Sequence, residues 1–388
     1  MNDRQSSAAR FATIDVLRGA AALFVACLHI RETAWIGMRD FWHLHPSWSS
    51  PDTWIALLSA PVMFGSFGVS AFFVISGYCI HRAHASRLSR DATYRVDGGR
   101  FWFRRFVRIY PVLFAALLLT LLCDTLSERL VPGFYKLGEL GPGTFALNLL
   151  AMEGLFAHPF GSNGPLWTLA IEIQLYAVYP LVFLVRRRFG ISWTLGAALA
   201  LSALSWFVFE RRGLSLFASY QFSWVLGAYV ADRETMARPP VSGQGAAPGL
   251  SRVVGVGGVL LVGIGCAVFM VSQYLAFQIW ALGFAMALAW LLEHPLRIGP
   301  IAGAFRQVGH FSYSLYAIHL PLAVLAVCLV FDGRKQASPL PALLIVCLTI
   351  VCAYVFHLAF ERPFVAWLAR RPESKGLRSV EPVAKNVN

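Results

Sequence analysis

The chain has 388 residues, 57% of them apolar and only 14% charged, with a formal net charge of +13. With a mean hydropathy of +0.60, this composition excludes an ordinary soluble domain and a disordered chain. The basic excess gathers beside apolar runs, in residues 81–108, at Arg186 to Arg188 and from Arg362 onward, which fits a membrane topology signal and argues against a nucleic-acid partner.

Ten apolar stretches are long enough to cross a hydrocarbon core about 30 Å thick as helices. They are 13–31, 55–80, 107–125, 164–185, 191–210, 214–231, 253–272, 273–293, 310–331 and 339–360. The expected fold is an all-α integral membrane bundle of about ten transmembrane helices. The placement of Lys and Arg puts both termini in the cytoplasm. Residues 1–12 are then a cytoplasmic N-terminus, 13–360 a single membrane domain, and 361–388 a cytoplasmic, partly disordered tail. The Pro/Gly/Ala-rich piece 237–249 reads as a linker.

The first stretch, LRGAAALFVACLHI, carries Arg18 and His29. Their separation gives about 1100° of helical rotation, so they share one face and lie roughly 16 Å apart along the axis. Snorkelling to the two interfaces would explain them. So would lining a cavity, and intramembrane ionisable groups that do so mark function. The following loop, 32–54, mixes Trp, His and Arg as an interfacial segment does. In FWFRRFVRIYP, Arg105 and Arg108 lie one turn apart with Arg104 alongside. Such a pair suits phosphate, although a purely topological role fits the position too.

Residues 144–158 are apolar but short, and are expected as a re-entrant or interfacial helix. GPLWTLAIEIQLYAVYP then sets Glu172 well inside a helix. A lone carboxylate there is costly, and His29 is its expected partner. In HFSYSLYAIHLPL, Tyr313, Tyr316 and His319 form a polar stripe at one-turn spacing. The i, i+4 pair His357 and Glu361 in HLAFERPF is read as structural. The seven cysteines all lie in or beside apolar stretches, with no C-x-x-C pair, and are expected as packing residues.

Taken together, these segments carry a resemblance. The Arg18-to-His29 spacing, FFVISGY, RRFVRIYP, LWTLAIEIQLY, SYSLYAIHLPL and FERP, in this order, resemble the type 3 membrane acyltransferases. Thr168, Ile173 and Leu175 depart from the serine, glutamate and phenylalanine frequent in that family. The resemblance implies an inner-membrane enzyme, bacterial in setting, that moves an acyl group, usually acetyl, from cytoplasmic acyl-CoA to a hydroxyl of a sugar or lipid-linked glycan. It implies that Arg18, Arg105 and Arg108 hold the donor phosphates, that His29 is the general base and that Glu172 orients it. Trp167, Tyr313, Tyr316, His319 and Glu361 are expected as supporting residues. The expected partners are acyl-CoA, the glycan acceptor and membrane lipid, with no metal. An acyl-histidine intermediate is a second route to the same product. The competing reading is a transporter or flippase using the same buried Arg, His and Glu as a pathway. Against it stands the lack of a repeat between the two halves.

Overall fold

The computed structural model describes residues 3–236 and 248–371, and among them the chain is helical with no strand. The expected linker, over 237–247, and the tail beyond 371 lie outside the described residues. Helix α1 (Asp3–Ala34) leads through two short helices, α2 (Met38–His43) and α3 (Pro51–Leu58), to α4 (Phe67–Leu88). Helix α5 (Gly98–Leu130) follows, its start capped by the Asp97 side chain, which accepts from Arg100 N at 3.0 Å. Then come α6 (Pro142–Leu149), α7 (Leu166–Phe189), α8 (Ile191–Val208), α9 (Phe217–Met236) and α10 (Pro248–Phe269). The chain continues with α11 (Gln273–Glu293), α12 (Pro300–His310), α13 (Ser312–Phe331) and α14 (Leu340–Phe356), and one π-helical turn joins α14 to α15 (Arg362–Arg370).

Seven of these helices are long and apolar enough to span a membrane, or eight if the pair 51–64 and 67–88, bent by 48°, is one span. The protein is therefore an integral membrane protein. A helix lies on each of the ten apolar stretches, but α9 and the apolar part of α10 (Val253–Phe269) fall short of that test. For α9 the reason is its setting: Ser219, Tyr220, Gln221 and Ser223 are buried against other helices, so they meet protein and not lipid. The described start of the expected tail, Arg362–Arg370, is helical, and α12 is an additional helix that no apolar stretch announced, because it is short and only one of its faces is buried.

Two backbone crossings hold the centre. At Gly19 and Gly309 a Cβ would overlap the Phe305 and Asp15 carbonyl oxygens, so only glycine lets α12 lie this close to α1. Gly77 and Gly227 do the same for α4 and α9, against the Trp224 and Val74 carbonyls.

Two prolines shape the helices around the site. Pro180 and Pro321 lack the N–H that would bond the carbonyl four residues earlier. The released Tyr176 carbonyl accepts from Trp102 Nε1 at 3.3 Å, and the released Ala317 carbonyl accepts from Asn163 Nδ2 at 2.9 Å. In a membrane, such side-chain donors are what make a helical proline tolerable.

Candidate active site

The first focus lies where α1 meets α13. His29 Nδ1 is 2.8 Å from His319 Nε2, with the ring centroids 5.1 Å apart and the ring planes 12° from parallel. The second imidazole nitrogen of His319, Nδ1, is 2.7 Å from the Tyr316 backbone oxygen. A carbonyl can only accept, so His319 Nδ1 carries a proton. When His319 is neutral, its Nε2 is therefore an acceptor, and His29 Nδ1–H is the donor to it. The relay leaves one consequence: the lone pair of His29 is on Nε2, with the ring held by that hydrogen bond. Helix α13 runs past with Tyr316 facing the start of α7, its hydroxyl 2.6 Å from Thr168 Oγ1 and 3.1 Å from the Pro165 carbonyl.

Glu172 does not pair with His29. Its Oε1 accepts from Ser76 Oγ at 2.8 Å and from the Tyr176 hydroxyl, while Trp224 Nε1 donates to Ser76 Oγ at 3.3 Å. Two hydroxyls thus do the work expected of a histidine. The reason is where α7 begins. The 159–165 segment folds inward, with Ser162 N and Oγ bound to Asp124 at 2.5 and 2.7 Å and Asn163 bound to Ala317. Helix α7 therefore starts at the level of Tyr316, and Glu172 lies a further turn along, near Ser76, itself one turn from Cys79.

That places Glu172 toward Arg18. The Arg18 Nη2 is 3.5 Å from Cys79 Sγ, and the charges that act on Arg18 include Asp15 and Glu172. Arg105 sits with its guanidinium carbon 5.7 Å from the centres of both the Phe101 and Tyr176 rings. It lines a cleft of about 340 Å³ between α5 and α7, with Trp102, Phe106, Ile109, Tyr110 and Tyr176 among its walls. Arg108 is exposed, and Asp15 lies in the field of Arg18, His310, Arg306 and Arg108. The Arg18 end of the bundle is thus a basic mouth to which α12 adds Arg306 and His310. Sequence reasoning missed both because α12 itself was not foreseen.

Other expected residues are structural by their contacts. Trp167 stacks parallel to Phe277 at 6.3 Å and packs on Tyr220, away from the histidines. Glu361 is held by Ser314 Oγ at 2.6 Å and His357 Nδ1 at 2.9 Å, pinning the π-helical turn to α13. Tyr313 donates to the Ile109 carbonyl at 3.3 Å, tying α13 to α5. Ser76, Tyr176 and Thr168 belong to the site by contact; only their positions in the α4 and α7 motifs could have flagged them. Among the described residues no group of three or more His, Cys, Asp or Glu side chains is arranged to hold a metal ion.

A helical membrane protein with a column of ionisable side chains running from a basic mouth to a buried histidine pair is the class defined so far. A family model described as an acyltransferase domain, that of the type 3 acyltransferases, matches residues 11–358, and the chain belongs to this family. It is similar to the acyltransferase MdmB of Streptomyces mycarofaciens, 27% identical over 201 residues, which are 50% of this chain and 45% of MdmB. It is also similar to the O-acetyltransferase OatA of Staphylococcus aureus, 35% identical over 145 residues, 34% of this chain and 22% of that protein. The peptidoglycan O-acetyltransferase OatA of Listeria monocytogenes is 25% identical over 126 residues, 31% of this chain and 20% of that protein. The chain thus matches less than half the length of each of these relatives. No solved structure matches it.

Proposed function

We propose that the protein is a membrane O-acyltransferase that carries an acyl group, acetyl in the first instance, from cytoplasmic acyl-CoA to a hydroxyl of a sugar or glycan acceptor. The observation that carries this reading is the relay from the Tyr316 carbonyl through His319 to His29, which leaves His29 Nε2 as an oriented base. His29 Nε2 takes the acceptor hydroxyl proton as that oxygen attacks the thioester carbonyl. The C–S bond then breaks, and the departing CoA sulfur takes the proton back from the imidazolium. The names of the OatA relatives support acetyl as the group and a glycan as the acceptor.

The donor enters from the basic mouth, its phosphates on Arg105, Arg108 and Arg18, its long arm running along the column toward His29. Glu172 acts on the donor side: it holds Tyr176, on which Arg105 rests, and balances Arg18. The bundle has ten spans, one for each apolar stretch, in a bacterial inner membrane, as the family suggests, with both termini cytoplasmic, as the Lys and Arg pattern supports. In intact cells an impermeant thiol reagent is expected to label Ser49→Cys and spare Ser89→Cys on a cysteine-free background; the reverse pattern overturns the orientation. The function is tested with purified protein in liposomes and radiolabelled acetyl-CoA. Release of CoA together with label in envelope glycan is expected, and the absence of both refutes the assignment.

A further inference from the structure

The segment between α6 and α7 holds a carboxyl that the reaction above leaves unused. Glu153 is 3% exposed, its side chain makes no hydrogen bond, and its Oε1 is fully enclosed. Burial pushes this carboxyl well above the ordinary carboxylate range, which favours its protonated form. A buried acid without a partner is disfavoured, and native proteins that keep one usually have a use for it.

The segment is not slack. Gln174 Nε2 donates to the Ala151 carbonyl at 2.8 Å, Gly154 N–H to the Ala157 carbonyl at 3.1 Å, and Ser215 N–H to the Gly154 carbonyl at 3.0 Å. Ala151 is held at φ 59°, a left-handed conformation that a residue with a side chain adopts only where its surroundings impose it, and that clusters at ligand-binding positions. An orphan acid and a strained backbone thus fall two residues apart in one pinned turn.

Its location selects the ligand. The Glu153 carboxyl lies within electrostatic reach of the Tyr316 hydroxyl, and the Tyr316 carbonyl anchors the histidine relay. Helix α5 begins at the basic mouth and ends at Leu130, so the 131–165 segment follows from its far end, away from Arg105 and Arg108. Phe156 and His158, in the same segment, are exposed. The acid therefore lies beneath the surface opposite the donor mouth, on the side of Tyr316, whose ring packs on His319 with centroids 5.7 Å apart. A neutral carboxylic acid both donates and accepts a hydrogen bond, which matches neighbouring hydroxyls of a sugar.

We propose that Glu153 is an acceptor-recognition residue, its carboxylic acid hydrogen-bonding a sugar hydroxyl of the glycan next to the one presented to His29. This rests on the acyltransferase reading above.

The test uses the full chain in membrane vesicles that retain their own envelope glycan, with radiolabelled acetyl-CoA as donor. Transfer rate and KM for acetyl-CoA are measured for wild type, Glu153→Gln and Glu153→Leu, with thermal stability of each in detergent. Glutamine keeps a donor and an acceptor, and leucine has neither. Glu153→Leu is expected to lose at least about tenfold in transfer with an unchanged KM for acetyl-CoA, and Glu153→Gln to recover to within about threefold of wild type. Wild-type transfer by Glu153→Leu overturns the proposal, as does a glutamine variant as poor as leucine. A loss that tracks a raised acetyl-CoA KM or a collapsed melting transition also overturns it, since the acid would then serve the donor or the fold. Wild type that never consumes acetyl-CoA is a different failure: it removes the acyltransferase reading, and the acceptor role with it.

Discussion

The two ends of the ionisable column are built on different physics. At the Arg18 end, charge is abundant and partly exposed: Arg108, Arg306 and His310 surround Asp15 at the protein surface. At the His29 end there is little fixed charge but strict direction, with each imidazole nitrogen of His319 committed to one partner. An array of cations attracts a polyanion without fixing its atoms tightly. A hydrogen-bonded imidazole pair attracts little and fixes one lone pair in space. The contrast teaches which end can tolerate substitution. Loss of one cation leaves others, while loss of one imidazole removes the base or its orientation.

The largest effect is expected at His29. His29→Gln should lower the transfer rate by about 10²- to 10⁴-fold, the usual contribution of a positioned general base, with donor affinity close to wild type. Single-turnover transfer and acetyl-CoA binding, measured on the same preparation, separate the two quantities. A near-normal rate in His29→Gln would remove the histidine from the chemistry and erase the contrast between the ends.

His319 comes next. It does not reach the reacting atoms, but it holds the His29 proton on Nδ1, so His319→Ala should lower the rate by about 10- to 100-fold through a misplaced base. His319→Gln, able to accept at a similar place, should recover part of it. Donor KM should not move in either variant. If both variants are equally slow and both raise the donor KM, the pair is a packing element and not a relay.

At the basic mouth, smaller losses of a different kind are expected. Arg105→Ala and Arg108→Ala should each weaken acetyl-CoA binding about tenfold, the scale of a charge-assisted hydrogen bond to phosphate, and raising the donor concentration should restore the rate. Arg108→Lys should lose less than Arg108→Ala, because it keeps the charge and gives up only the planar fork. Unchanged donor affinity in both alanine variants would make these arginines topological signals.

How much of this was readable beforehand follows from the range of the interactions. Helical periodicity is local, so the apolar stretches, the shared face of Arg18 and His29 and the one-turn spacing of Tyr313, Tyr316 and His319 could be read from the chain. The pairing of His29 with His319 bridges 290 positions and left no local trace. Glu172 was given the wrong partner because the depth of α7 depends on how the 159–165 segment is clamped by Asp124, a tertiary fact. Helix α12 escaped because it is short and amphipathic, and Glu153 because nothing in a sequence distinguishes a buried acid from an exposed one in an apolar turn.

The smallest effect sharpens the account of how the directional end is kept in place. Pro321 cannot donate to the Ala317 carbonyl, and Asn163 Nδ2 supplies that hydrogen bond while also donating to Thr120 Oγ1 at 3.0 Å. Asn163→Ala should therefore strip a buried carbonyl of its donor and cost about 1 to 3 kcal/mol of stability. Ala317 lies two residues from His319, so a few-fold loss of transfer should accompany it, well below that of His319→Ala. In Pro321→Ala the backbone regains an N–H that can reach Ala317, and in that background Asn163→Ala should cost clearly less. The residual cost would belong to the Thr120 contact. Thermal or denaturant unfolding of the four proteins of this cycle measures the coupling. Should Asn163→Ala be equally damaging with and without Pro321, the asparagine is not the replacement for the missing proline N–H, and the positioning of His319 must be sought in its packing against Tyr316 and His29 alone.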